Sequence, residues 1–353
     1  MVSVGVPDHP AGFEAPPSRL VEDGRQRLGR FDGPVARANL IDARYLGLPR
    51  PLRWWRLKEW QAFQIANPRL FVNVALFDAK LMALLQVKIY DRVLGCKHLH
   101  ERRLRPGAFR VADQLLDSST GYQDRRGLLG FDNRFDVGRV DIAIDVPETR
   151  DCKRMCGRLV VHVDRGASQV VSLPFAADVG MYSHKGMFPV EGELRVGDET
   201  HRFALADALA LMDDHKGYYP YVMRWDWVTG TSRDAGGRAL GFNLTRNQCR
   251  DADRYNENCA WIDDRIGRLP AVHFARENAR LPGECWRIKD LAGRVDLRFE
   301  PTVPGDVQIN ALVVESRYRG PFGLFTGRLE PEGLDAIEVD GWFGMGEEFW
   351  LRC

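Results

Sequence analysis

The sequence predicts an all-β fold: two tandem antiparallel β-barrels with few short helices. Three observations carry that expectation. Short runs of alternating, β-branched or aromatic residues recur along the chain, separated by turn residues. Long helical periodicities are scarce, so strands follow strands without crossover helices. At 353 residues the chain exceeds one eight-stranded barrel, and its strand candidates form two comparable groups. A Pro- and Gly-bearing turn in FPVEGELRVGDET (188–200) marks the expected boundary, with barrels over 36–188 and 189–353. Residues 1–35, rich in Pro, Gly, Arg and Asp, read as a polar N-terminal arm.

In chain order, the first group of expected strands is WWRLKEW (54–60), RLFVNVALFD (69–78), KLMALLQVKIYD (80–91), VDIAIDV (140–146), RLVVHVD (158–164) and SQVVSLPF (168–175). The second is GELRV (192–196), YVMRWDW (221–227), RALGFNL (238–244), AVHFA (271–275), RVDLRF (294–299), VQINALVVESRY (307–318) and FGLFTGRLE (322–330). FDAK (77–80) and GPFG (320–323) read as hairpin turns. LADALALMDD (205–214) fits either a short helix or a strand.

Composition narrows the function classes. Lys and Arg number 50 against 49 Asp and Glu, so the basic surplus of a nucleic-acid binder is missing. No apolar run is long enough to span a bilayer as a helix, and the first residues lack a signal-peptide pattern. Seven scattered cysteines do not form a disulfide framework and fit a reducing cytoplasm. P-loop, dinucleotide and nucleophile-elbow motifs are not found, and no cofactor is expected. CKHLH places Cys96, His98 and His100 on one strand face, and CKRMC adds Cys152 and Cys156. These are zinc-ligating types, but the spacing is looser than in paired zinc motifs, so no metal site is assigned.

The stretch HKGYYPYVMRWDW (215–227) carries Tyr219, Tyr221, Met223, Trp225 and Trp227 at alternate positions. On one strand all five would share a face. That face is either barrel core or the wall of a pocket for an amphipathic molecule, because indole N–H and phenol O–H groups need partners when buried. Asp213 precedes the stripe. In a water-poor pocket its pKa would rise, making it a proton donor. Asp214 and His215 read as part of a solvated turn.

The segments HKGMFPVEGELRVGDETHRF (184–203), DALALMDDHKGYYPYVMRWDW (207–227), GRALGFNL (237–244), NENCAWIDD (256–264), RVDLRFEP (294–301), SRYRGPFGLFTG (316–327) and GWFGMGEE (341–348) occur in this order. Together they resemble the bacterial family known only as domain of unknown function 2804, weakly from about residue 36 and strongly from about 180 to the end. The matching positions include Lys185, Asp213, Gly217, Trp225, Trp227, Asn243, Glu257, Asn258, Glu347 and Glu348. His215 and Lys216 stand where the family tends toward glycine and arginine, and Asp226 replaces a more usual amide. More remotely the pattern is similar to tandem lipocalin-like proteins, a group with carotenoid 1,2-hydratases, AttH-like proteins and cyclases. That likeness implies two lipocalin-like barrels enclosing an apolar or amphipathic small molecule, and in several members cofactor-free lyase or isomerase chemistry.

The resulting expectation is a small-molecule-binding protein, either a cofactor-free lyase, hydratase or isomerase or one of the rivals named below. Asp213, Lys185 and Glu257 are the candidate catalytic residues. Tyr219, Tyr221, Trp225, Trp227, Asn243 and Asn258 are the candidate ligand-binding residues. The rivals are a non-catalytic carrier on the same fold, a solid scaffold, and a glycoside hydrolase using the Glu347–Glu348 pair. Adjacent strand residues face opposite sides, so at most one of that pair can point inward.

Overall fold

Alternation of apolar side chains builds two large antiparallel sheets, each curled into a half-barrel, in the computed structural model, beside a two-stranded ribbon of Val21–Glu22 and Arg25–Gln26. It describes residues 12–150, 152–177, 179–310 and 315–352. Six strands position the site: β1 (Leu57–Ala66), β2 (Val179–Val196), β3 (Leu209–Tyr218), β4 (Val222–Arg233), β5 (Ala239–Arg246) and β6 (Ile337–Arg352).

In the first sheet β3 lies between β1 and β2. Beyond β1 come Leu70–Asp78, Ala83–Asp91 and Cys96–Leu104, and beyond β2 come Met155–His162, Arg139–Val146, Gly127–Arg134 and Ser118–Asp124. In the second sheet β4 lies between β5 and β6. Beyond β6 are Phe322–Leu329, Val295–Val303, Cys285–Lys289 and His273–Glu277. Each sheet has its own apolar core: Phe63, Val74, Val87, Phe131 and Met212 fill the first, and Phe242, Trp286, Phe299 and Phe325 the second.

Several local expectations differ from what forms. WWRLKEW is not all strand, because α1 (Arg50–Arg56) takes its first three residues, with Pro51 in the first helical turn. The ambiguous LALMDD segment is strand, within β3. The GPFG turn does not close a hairpin. Glu315–Arg319 and Phe322–Leu329 both pair with β6 along one edge, and Gly320–Pro321 forms the step between them. The expected single strand 307–318 is a pair of short strands, Asp306–Asn310 and Glu315–Arg319, whose connection lies outside the described residues.

The chain does not change sheets at 188/189. Strand β2 runs through that point, and β3 still belongs to the first sheet, so the crossing falls at 219–221. Within residues 1–35, Gly29–Phe31 pairs with Ala167–Ala176, and Leu20, Val21, Phe31 and Val35 are buried against Tyr182 and Tyr218. Among the described residues, no helix is long and apolar enough to cross a membrane.

Candidate functional site

Strand β3 is buried over its whole length because it is covered on both faces. Its even positions, Ala210 and Met212, enter the core of the first sheet. Its odd positions turn toward the second sheet, where Leu209 and Leu211 meet Ala239 and Trp261. Register then assembles the site. Lys185 of β2 lies opposite Asp213, Ser183 opposite His215, and Trp60 of β1 opposite His215 on the other side. Opposed residues of antiparallel strands share a face, so these side chains converge. The solvated turn expected for Asp214 and His215 is therefore replaced by a buried strand.

The Lys185 ammonium lies 2.6 Å from Asp213 Oδ1 and 3.7 Å from Glu257 Oε2. His215 Nε2 lies 2.9 Å from Asp213 Oδ1 and 3.5 Å from Glu257 Oε2. Ser183 Oγ donates to Glu257 Oε2 at 2.5 Å, and Trp60 Nε1 donates to Asp213 Oδ2 at 3.3 Å. The His215 ring stacks on Trp60 with centroids 4.5 Å apart. Ser183, His215 and Asp213 are not a nucleophile triad. Such a base uses opposite ring nitrogens for hydroxyl and carboxylate, whereas here both sit on Nε2, and Nδ1 has no hydrogen-bond partner among the described residues.

Electrostatics reverse the expected role of Asp213. Burial pushes its carboxyl up, but Lys185 and His215 outweigh that effect and hold it well below the usual carboxylate range. It is an ionised group, in place of the raised proton donor that burial alone suggested. Lys185 is raised: burial opposes its charge, and Asp213 and Glu257 overcome that opposition.

The opposite wall supplies the other kind of carboxyl. Glu347 of β6 is raised by burial, against the lowering effect of its two donors. Tyr318 OH donates to its Oε1 at 2.7 Å, and Trp225 Nε1 to its Oε2 at 3.2 Å. The neighbouring Glu348 faces away, 3.4 Å from Arg319 and 3.7 Å from Arg276. Only one member of the pair reaches the interior, as strand alternation requires.

Between these walls is a largely apolar cavity of about 220 Å³. Trp60, Ala62, Ala75, Phe77, Met181 and Leu84 line one side, and Tyr219, Trp225, Trp227, Phe349 and Leu351 the other. Lys185, Asp213, His215, Glu257 and Glu347 all reach it. It comes to the surface beside Leu81 and Arg103, both exposed. Gly217 is needed here, because a Cβ would meet the Tyr219 ring at 2.7 Å.

Most of the expected residues meet in this cavity, and three do not line it. Tyr221 is 61 % exposed: Pro220 interrupts the strand where the chain changes sheets, which breaks the five-residue alternation. Asn243 stands behind the wall, accepting from Trp227 Nε1 at 2.7 Å and donating to the Glu257 carbonyl at 2.9 Å. Asn258 bonds the backbone of Thr245 and Pro270, which fixes the loop that carries Glu257. Met223 packs with Phe175, Met181 and Tyr219 as core.

Sequence reasoning passed over Trp60, Ser183, Tyr318 and Asn247, whose side-chain amide donates to Glu257 Oε1 at 3.2 Å, as site residues. The alternation Trp60, Ala62, Gln64 was a usable signal for the first, whereas Tyr318 is brought in by the pairing of Glu315–Arg319 with β6. Asp226 pairs with Arg276 at 2.5 Å outside the cavity. Cys96 and His98 lie 3.8 Å apart, but no group of three His, Cys, Asp or Glu residues suited to a metal occurs among the described residues.

A family model, described as Domain of unknown function (DUF2804), matches residues 14–352. No curated protein matches the chain. Among solved structures, the chain is similar to an AttH-like protein from Nitrosomonas europaea, with 15% identity and a TM-score of 0.47 over 83% of this chain and 92% of that one. It is also similar to kievitone hydratase from Nectria haematococca, with 11% identity and a TM-score of 0.47 over 84% and 88%.

Proposed function

We propose that this chain, which belongs to the family of domain of unknown function DUF2804, binds a small apolar or amphipathic molecule between its two sheets and acts on it by proton transfer alone. The observation that carries the reading is the opposed behaviour of two carboxyls on one cavity. Glu347 is raised and Asp213 is lowered, and pairs of groups pushed apart in this way supply an acid and a base.

In a dehydration, Glu347 protonates a hydroxyl of the substrate, and the C–O bond breaks with loss of water. Asp213 takes the proton from the adjacent carbon, and that C–H electron pair becomes the new C=C bond. Hydration is the reverse, and double-bond migration uses the same two groups without water. The faces of Trp60, Trp225 and Trp227 would steady the cation that develops. Trp227 already carries the Lys185 ammonium over its ring at 5.1 Å.

The test is to incubate the protein with fractionated metabolite extracts in deuterated water and to screen for compounds that gain or lose water or acquire one deuterium. The reading expects such a product from the wild type and none from Glu347→Gln or Asp213→Asn variants that still fold. A ligand retained but never converted, by wild type and variants alike, would make the protein a carrier.

A further inference from the structure

Exposed apolar side chains gather where the cavity meets the surface. In α1, Leu52 and Trp55 are 49% and 44% exposed, and three residues apart they share one side of the helix. Leu81, 46% exposed, lies on the next hairpin and also lines the cavity. The two pieces are fastened together. The Lys58 ammonium donates to the Trp55 carbonyl at 3.4 Å and to the Ala79 carbonyl at 2.5 Å, and Lys80 sits over the Trp54 ring at 5.1 Å.

Charges of both signs border this patch, with Lys80 paired to Glu59 and Asp78 and with Glu101 beside Arg103 in the cavity lining, and α1 adds an excess of arginine. The sequence of α1, RPLRWWR, holds Arg50, Arg53 and Arg56 and no acid; Arg50 is exposed, whereas Arg53 and Arg56 are half-buried and hydrogen-bond the Ala43 and Tyr219 carbonyls. Arg103, exposed on the cavity rim, has no carboxylate partner among the described residues. Asp42, bound by Arg50 at 2.7 Å, offsets part of this charge. Tryptophan and leucine on one face with arginines beside them is the composition that lies in the headgroup region of a bilayer. Attraction to anionic lipid rises with each arginine near the surface.

We propose that α1 and the Leu81 hairpin form a docking surface for an anionic membrane, so that an apolar ligand enters the cavity from the lipid phase. The arginine excess of α1 argues for anionic lipid over a neutral surface. The adjoining apolar cavity argues for a lipid phase over a protein partner. The docking reading rests on the ligand-binding part of the proposed function and not on the acid–base roles of Glu347 and Asp213.

The experiment is co-sedimentation of the full chain with vesicles of phosphatidylcholine, or of phosphatidylcholine mixed with phosphatidylglycerol. Binding is expected on the mixed vesicles only, weakened by salt. Leu52→Glu/Trp55→Glu should weaken it roughly tenfold or more. Leu291→Glu, at a residue 93% exposed in the second half of the chain, should leave it unchanged. Should the double variant misfold, brominated lipid is expected to quench wild-type tryptophan fluorescence, and Trp55→Phe to reduce that quenching. Equal binding to both vesicle types, binding to neither, or full binding by a folded double variant would overturn the proposal. Loss of vesicle binding with turnover intact in detergent would separate failure here from failure of the catalytic reading.

Discussion

Lys185 and Asp213 are register partners on adjacent antiparallel strands, with their charged atoms 2.6 Å apart and both side chains buried. Neither is stable there alone, because an unpartnered charge in a low-dielectric interior carries a desolvation cost of several kcal/mol. The pair is thus a structural requirement of β2 and β3 as well as part of the cavity wall.

Lys185→Met removes the cation that faces both Asp213 and Glu257. The expected loss is about 3 kcal/mol of folding stability, read by urea denaturation at neutral pH. Lys185→Met/Asp213→Leu should recover part of it. A single variant as stable as wild type would mean that water reaches the pair.

The two neighbouring aspartates give opposite pH signatures. Asp213 has a lowered folded pKa, so its stabilisation is present above its unfolded value of 3.8 and is lost as pH falls through the folded value. Asp214, on the other face of β3, is pushed up to about 6 by burial, against the pull of Lys216 and His215 and with Asp213 and Glu59 adding to the rise. The folded chain holds that proton more tightly than the unfolded one. Its contribution is therefore full below about pH 4 and lost as pH rises through about 6. Asp214→Asn should flatten this slope and raise stability at neutral pH by up to about 3 kcal/mol, measured by denaturant titrations across that window.

Tyr318 tunes Glu347. Its hydroxyl donates to the carboxylate at 2.7 Å and so favours the charged form. Tyr318→Phe should shift the Glu347 titration further upward, as followed by the infrared carbonyl band of the protonated acid. An unchanged or downward midpoint would show that the contact does not form in solution.

Trp227→Phe keeps an aromatic face, though a smaller one, and removes the indole N–H that Asn243 accepts. The buried Asn243 oxygen is then left without that donor, at an expected cost of about 1–3 kcal/mol, and ligand affinity should fall with it. Thermal unfolding and ligand titration of the same variant would check both.

Much of this was legible in the residues. Period-two alternation located most strands, and the motifs singled out Lys185, Asp213 and Glu257, which line the cavity, whereas His215 was expected in a solvated turn and Glu347 only as one of a glycosidase pair. What could not be read was which face of β3 met which layer. Asp213, Asp214, His215 and Lys216 look like a solvated charge run unless the strand is known to be covered on both sides. Nor could local sequence show that Pro220 moves Tyr221 out of the stripe, or that Tyr318 would reach Glu347 from another strand. Those facts depend on pairing between segments far apart in the chain. The direction of the Asp213 shift was missed for the same reason: burial could be guessed locally, whereas the cation opposite it comes from register.

The most direct test is a carbon-13 carboxyl titration of protein labelled at glutamate and aspartate, with Glu347→Gln and Asp213→Asn used to assign the signals. The account predicts that Glu347 titrates above the ordinary glutamate range while Asp213 stays ionised to well below the ordinary aspartate range. Two carboxyls that both titrate at ordinary values would contradict it, since the cavity would then hold neither a poised acid nor a protected base.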